Sequence, residues 1–245
     1  RRPVDADFSR TARRPEPSTV DFDIRTIQYA LERYPFDRWL LDQLQAAGHP
    51  VEALDRWHEV VPGEATAALT KRLIRATESM AFREIYFAFV REVLQPLAGV
   101  EIAPQRYPNV RAHLPDRPEM CIPFHTDGWY GHGPDEINVW LPLTAAQGTS
   151  SLALIPHARS QELIAEAKAR RMRLSEMEAL FGPEAAAVSV VPGDVVLFTP
   201  EHLHGNTANR TGRTRVSIDF RVAVKGGRIN KKRVGGYFVL LPEAA

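Results

Sequence analysis

The sequence predicts a mainly β fold, an antiparallel sandwich or barrel braced by helices. Three observations predict it. Apolar periodicity is helical up to about residue 98, it changes beyond Gly99 to short alternating runs separated by Pro, Gly, Asp and Asn, and no βαβ rhythm intervenes. The chain has 245 residues, of which 44% are hydrophobic and 25% charged, which excludes wholesale disorder and supports a single folded domain over residues 21–245.

Residues 1–20 place Pro3, Pro15 and Pro17 among arginines with little apolar content, and read as a polar arm. From Asp21 to about Ala47, Ile24, Ile27, Leu31, Trp39, Leu40 and Leu44 fit two short helices. Residues 64–97 carry the strongest helical stripe, Leu69, Leu73, Ala76, Met80, Ile85, Phe89 and Val93, with Pro96 near its stop. These N-terminal helices, the support region 21–98, should pack on one sheet. Expected strands are 101–114, 120–125, 136–143, 150–156, 187–191, 194–199 and 213–224, with a helical insertion at 159–181 and a C-terminal segment from 225.

A formal charge of +1 gives no field for a polyanion, so neither nucleic acid nor a membrane surface is an expected partner. No apolar run approaches the roughly 18 residues that span a bilayer. The lone cysteine, Cys121, cannot form an internal disulfide, which fits a cytoplasmic location. Nothing in the pattern decides an oligomeric state.

The chemistry concentrates at two places. His125 and Asp127 lie two apart at the end of an apolar run, so on a strand both would project from one face. Far downstream, His204 follows the apolar strand 194–199 and its turn, and supplies a third ligand of the right type; His202 is the alternative. Two imidazoles and a carboxylate with open positions form the facial triad of non-heme Fe(II) oxygenases. A closed zinc site fails with one cysteine, and a zinc hydrolase would show a helical His-Glu-x-x-His arrangement. On the last strand Arg215, Ser217, Asp219 and Arg221 alternate with Val216, Ile218, Phe220 and Val222. Their polar face either meets water or lines a ligand cavity, where Arg215 and Ser217 would hold a carboxylate.

The blocks FHTDGWYGHGPDEINVWLPLT and PGDVVLFTPEHLHGNTANRTGRTRVSIDFRV resemble the Fe(II)- and 2-oxoglutarate-dependent dioxygenases, specifically the phytanoyl-CoA-hydroxylase-like branch and, within it, the oxygenases of aminoglycoside and sugar-antibiotic biosynthesis of the streptomycin-cluster and orthoester-forming types. The resemblance spans about residues 105–224. It implies a double-stranded β-helix, a cupin-like jelly roll, in which His125, Asp127 and His204 bind iron while Arg215 with Ser217 binds the distal carboxylate of 2-oxoglutarate. It also implies an oxidoreductase that consumes O2 and 2-oxoglutarate to hydroxylate or oxidatively cyclise a small-molecule substrate, a sugar or aminocyclitol. The alternatives are an amino-acid or acyl-thioester hydroxylase of the same superfamily and a non-catalytic jelly-roll binding module.

Secondary candidates surround this set. Asn138 could hydrogen-bond 2-oxoglutarate and Trp140 could wall the pocket, since both alternate on strand 136–143. Trp129, Tyr130 and His132 occupy a Gly-rich loop suited to stacking on a sugar ring or acting as a lid. Arg106 and Arg111 could contact substrate or co-substrate. Asp116, Glu119, Asp135, Glu136 and Glu201 could pair with ammonium groups of an amino sugar. The basic, Gly-rich segment KGGRINKKRVGG permits phosphate contact.

Overall fold

The computed structural model describes residues 23–242. Among the described residues nine strands follow one another: β1 (Arg25–Gln28), β2 (Ile102–Pro104), β3 (Asn109–His113), β4 (Ile137–Pro142), β5 (Ala153–Leu154), β6 (Ala186–Ala187), β7 (Asp194–Phe198), β8 (His204–Gly205) and β9 (Arg215–Val224). Six form a larger antiparallel sheet in the order β1-β7-β4-β9-β2, with β3 also paired to β9. A smaller antiparallel sheet has the order β6-β5-β8. The fold is a jelly roll.

Strand alternation divides the larger sheet into two chemically distinct faces. On the outer face Ile137, Val139 and Leu141 of β4, Val195 and Leu197 of β7, and Val216, Ile218, Phe220 and Val222 of β9 join one apolar core. Helices α1 (Phe36–Ala46), α2 (Trp57–Val60), α3 (Gly63–Ala76), α4 (Met80–Phe89) and α5 (Gln95–Ala98) supply the other half of that core, through Trp39, Leu44, Leu73, Phe82, Tyr86 and Phe89 among others. The helical layer therefore covers one face of the larger sheet, as expected. The opposite face turns inward, where Trp140, Val196 and Phe198 meet Leu154 of the smaller sheet and Leu152 just before it. Helices α6 (His157–Ala169) and α7 (Leu174–Phe181) lie in the connection between β5 and β6 and pack Leu163, Ile164 and Phe181 with Phe124 and Leu203.

The expected elements differ from the structure in four places. Residues 25–28 are an edge strand rather than helix, because β7 offers its free backbone edge and pairs with them from Arg25↔Leu197 to Gln28↔Asp194. The stripe at 64–97 is not one helix: α3 ends near Thr77, whose hydroxyl bonds the Ile74 carbonyl at 2.6 Å, and Ser79 caps α4 by accepting the Phe82 N–H. Before Pro96, which has no N–H to donate back, Val90–Leu94 widens into a π-helical turn. The run 101–114 divides into β2 and β3, both lying along β9, because Pro104 and Pro108 interrupt the hydrogen-bonding edge. Residues 120–125 form no strand; a 3-10 turn over Pro118–Met120 and Pro123 leave only an isolated bridge, His125 to His204. The expected polar arm at 1–20 lies outside the described residues.

Phe220 joins the sheet to the helical layer, fully buried and edge-on to Tyr86 at 4.8 Å between ring centroids. Phe220→Ala should cost about 3–5 kcal/mol in urea unfolding, since rigid elements on both sides prevent the cavity from collapsing. A loss below about 1 kcal/mol would mean that the helical layer is not anchored through β9.

Candidate active site

Two backbone hydrogen bonds bring the histidines together. The His125 N–H donates to the His204 carbonyl at 3.0 Å and the His204 N–H to the His125 carbonyl at 2.9 Å, a narrow antiparallel bridge. The neighbouring Gly205 permits this approach, because a Cβ there would lie 2.9 Å from the Ile122 carbonyl oxygen and 3.0 Å from the Phe124 nitrogen. Asp127 does not continue a strand; it opens a 3-10 turn, Asp127–Tyr130, that folds its carboxylate back between the two rings. One ligand atom from each of the three residues falls within 4.8 Å of the others.

Each ligand is oriented by a second bond. His125 Nδ1 donates to the Pro123 carbonyl at 2.8 Å and His204 Nδ1 to the His202 carbonyl at 3.0 Å, so both lone pairs reside on Nε2. Those Nε2 atoms lie 3.6 and 3.8 Å from Asp127 Oδ1. The other oxygen, Oδ2, is occupied by Asn138 Nδ2 at 2.7 Å and by Arg221 Nε and Nη2 at 2.8 and 2.7 Å. Burial alone would raise the Asp127 carboxyl, but Arg221 and the flanking imidazoles hold it well below the usual carboxylate range. Burial lowers the His204 imidazole to about 4, so its ring is neutral at pH 7. Two imidazole Nε2 atoms and an ionised carboxylate, within 4.8 Å of one another and with open space beside them, suit an Fe(II) ion.

Arg221 also donates to Asp219 Oδ2 at 2.8 Å, and Asp219 receives Arg111 and Asn109. Arg111, Asp219, Arg221 and Asp127 thus form a chain of alternating charge. Arg215 stands outside it. Its guanidinium is 4% exposed and donates to the Ser150 carbonyl at 2.9 Å and to Ser217 Oγ at 3.0 Å, but meets no carboxylate among the described residues. Burial, with repulsion from Arg111, lowers Arg215 to about 10, leaving it cationic at pH 7. Its neighbour His113 is buried, with Nε2 lacking a partner, and is held down to about 4 by burial and by Arg215. A buried cation without an anion is costly, and this one lines the same cavity as the three ligands, a space of about 330 Å³. The residues fit a dianionic keto acid.

The remaining predicted residues separate into two groups. Tyr130 lines the cavity edge-on to His125 at 5.3 Å, Trp140 lines it beneath Arg215 with the guanidinium 5.6 Å from its ring, and His132 and Arg111 also line it. Ser217 acts through Arg215, and Asn138 through Asp127, although Asn138 Oδ1 is buried without a partner. Trp129 does not line this cavity: it is 44% exposed and lines a separate apolar groove with Ile164, Leu174 and Met177. His202 points to Asp23 and Thr199, away from the centre. Arg106 binds the carbonyls of Gly235 and Gly236, Asp116 pairs with Arg210, Glu119 with Arg117 and Glu201 with His157, none of them lining the cavity. Asp135 is clamped by Arg228, and Cys121 is half-buried off the cavity. Arg221 and Asp219 had no role assigned from the sequence; their only signal was membership of the polar face of β9.

What the centre can accommodate defines a class. Three ligands on one side of an ion would leave room for a chelating keto acid and dioxygen, and a buried Arg215 without a carboxylate partner among the described residues lines the same cavity, a combination that suits the non-heme iron, 2-oxoglutarate-dependent oxygenases. The family model described as Phytanoyl-CoA dioxygenase (PhyH) matches residues 41–217, and the chain belongs to this family of enzymes that use Fe(II), 2-oxoglutarate and O2. The streptomycin biosynthesis protein StrG of Streptomyces griseus is 29% identical over 136 residues, 54% of this chain and 53% of that protein, so the match spans about half the length of the relative. Among solved structures, apo EctD from S. alaskensis is similar with a TM-score of 0.53 at 16% identity, covering 93% of this chain and 83% of that one. EvdMO1 is similar with a TM-score of 0.50 at 18% identity, covering 82% and 47%. Both are likenesses of fold. No helix among the described residues is long and apolar enough to cross a membrane.

Arg221→Gln tests the charge chain. A carboxyl more acidic in the folded chain than in the unfolded one stabilises the fold above about pH 3.9, the unfolded value, and that stabilisation is lost as pH falls through the folded value. Removing Arg221 should raise the folded value of Asp127, move the acid limb of the stability profile to higher pH, and cost about 3–5 kcal/mol at pH 7 in urea unfolding. An unchanged acid limb would show that Arg221 does not govern Asp127.

Proposed function

We propose that the chain oxidises a C–H bond of a small, polar natural-product intermediate, a sugar or aminocyclitol of antibiotic biosynthesis, by hydroxylation or oxidative ring closure. In this reading His125 Nε2, His204 Nε2 and Asp127 Oδ1 hold Fe(II), and Arg215, held by Ser217, binds the distal carboxylate of 2-oxoglutarate. The observation that carries it is the carboxylate-free, buried Arg215 in the cavity of the triad. The substrate class is supported by the likeness to a streptomycin biosynthesis protein and by a cavity rimmed with Arg111, Tyr130 and His132 rather than by aliphatic side chains alone.

The chain's own residues divide the work. Bound iron supplies oxygen activation, coupled to conversion of 2-oxoglutarate to succinate and CO2, while one oxygen atom is available to the substrate. Arg221 and Asn138 keep Asp127 ionised with Oδ1 presented inward, so the ion meets a ligand of fixed charge and direction. The carbonyls of Pro123 and His202 fix both imidazole tautomers. Arg215 registers the co-substrate, and Trp140, Leu152 and Phe198 exclude water around it. Tyr130, on the turn that begins at Asp127 and lining the cavity, is the aromatic group assigned to contact the substrate.

Anaerobic addition of Fe(II) and then 2-oxoglutarate should produce the visible charge-transfer band of a chelated keto acid. His125→Ala should abolish the band, and Arg215→Ala should raise the 2-oxoglutarate concentration needed for half its intensity by about tenfold or more, since bonds to a charged group are lost. A folded parent protein that shows no band, or an Arg215→Ala protein with unchanged 2-oxoglutarate dependence, would contradict the assignment.

A further inference from the structure

The arginines of the cavity lie at different depths. Arg215 and Arg221 are each less than a tenth exposed, whereas the Arg111 side chain is 38% exposed and still lines the cavity, which places it at the opening. In the register of β3 on β9, Arg111 is opposite Ser217, so it stands between Arg215 and Asp219 on the polar face. Its Nε and Nη2 face the Asp219 carboxylate, and its Nη1 makes no bond among the described residues. Asp219 also divides its charge, because Arg221 and Asn109 donate to it as well. Arg111 is thus a guanidinium fork with one prong engaged and the other open.

The charge around the cavity points the same way. Three arginines, Arg111, Arg215 and Arg221, line it against two aspartates, Asp127 and Asp219. Burial would raise the Asp219 carboxyl, but Arg111 and Arg221 hold it below the usual carboxylate range, so it is ionised. Fe(II) and the 2-oxoglutarate dianion would add equal and opposite charges, and the loaded wall keeps an excess of one cation. A proton on any lining imidazole would only add to that excess, and Glu136 lies behind His132 rather than on the wall. Lys231 brings a further cation beside the opening: its stem lies against Gly131, between the lining residues Tyr130 and His132, and its ammonium has no carboxylate partner among the described residues. A partly buried excess of one sign is relieved by a ligand of the other, and a guanidinium fork matches a carboxylate or a phosphate. Resting on the oxygenase reading above, we propose that Arg111 anchors an anionic group of the substrate, a carboxylate or phosphate, and so selects an acidic sugar or cyclitol over its neutral or cationic counterpart. Held at the opening, that group is kept apart from Arg215, which takes the co-substrate, and the rest of the ring extends inward towards the triad.

Four hexoses that share a ring test this: D-glucose 6-phosphate, D-glucuronate, D-glucose and D-glucosamine. Each is titrated by calorimetry at fixed ionic strength into protein supplied anaerobically with Fe(II) and saturating 2-oxoglutarate, so that Arg215 is occupied. The parent protein should bind at least one of the two acids about tenfold or more tightly than glucose, and glucosamine no more tightly than glucose. Which acid is preferred separates phosphate from carboxylate. Arg111→Gln should remove the preference while changing glucose by less than about threefold, whereas an arginine with a merely structural role would move both ligands together. Arg111→Lys keeps the charge and loses the fork; it should weaken the acid by about threefold or more with glucose unchanged, and it serves if Arg111→Gln does not fold. No preference for either acid in the parent, or a preference that survives these substitutions, overturns the proposal. The charge-transfer band reports separately on the oxygenase reading: an Arg111-dependent preference for the acid without the band would sink that reading alone, and the band without the preference would sink this one alone.

Discussion

Strand β9 is buried along its whole length yet carries Arg215, Ser217, Asp219 and Arg221 on one face, and the rest of the site follows from how those groups are satisfied. A buried charge must be paired or it destabilises the fold by several kcal/mol. Asp219 and Arg221 are paired, through Arg111 on one side and Asp127 on the other. Among the described residues Arg215 is not paired with a carboxylate; it meets a hydroxyl, a carbonyl, a neighbouring imidazole and the Trp140 ring. The same strand therefore fixes the Asp127 carboxylate and sets a buried cation without a carboxylate partner among the described residues against the cavity. Its outer face, all aliphatic or aromatic, fastens this arrangement to the helical layer.

The two histidines depend on a different device. They are 79 positions apart and belong to no long strand, so their convergence rests on one reciprocal pair of backbone hydrogen bonds and on the missing side chain at Gly205. Short pairings of this kind are weak by themselves. Here the apolar cluster of Phe124, Leu203, Ile155 and Phe181 packs behind them and excludes water from the bridge. Packing outside the cavity thereby sets the geometry inside it, and the tautomer-fixing carbonyls of Pro123 and His202 come from the same two short segments.

Much of this was legible in the sequence, for physical reasons that differ from element to element. The alternation of β9 and β4 was readable because a pleated strand buried on both faces by different partners must alternate, but whether the polar face met water or lined a cavity could not be decided without the second sheet in place. The ligand types at 125, 127 and 204 were readable from chemistry, although the supposed strand through 120–125 is absent and Asp127 reaches the centre from a turn. Edge strand β1 was hidden because four residues carry no usable period and its pairing is supplied by β7. The break between α3 and α4 was hidden because both helices keep their apolar stripes facing the same core. The role of Arg221 was hidden because its partner Asp127, 94 residues away, is brought to it by tertiary approach.

The most direct test of the central claim is an anaerobic crystal structure of the protein with Fe(II) and 2-oxoglutarate. The account predicts iron bound by the Nε2 atoms of His125 and His204 and by Oδ1 of Asp127, with Oδ2 still held by Arg221 and Asn138 and the distal carboxylate of the keto acid on Arg215. Iron bound through Asp127 Oδ2 with Arg221 displaced, or a keto acid that leaves Arg215 unpaired, would contradict it.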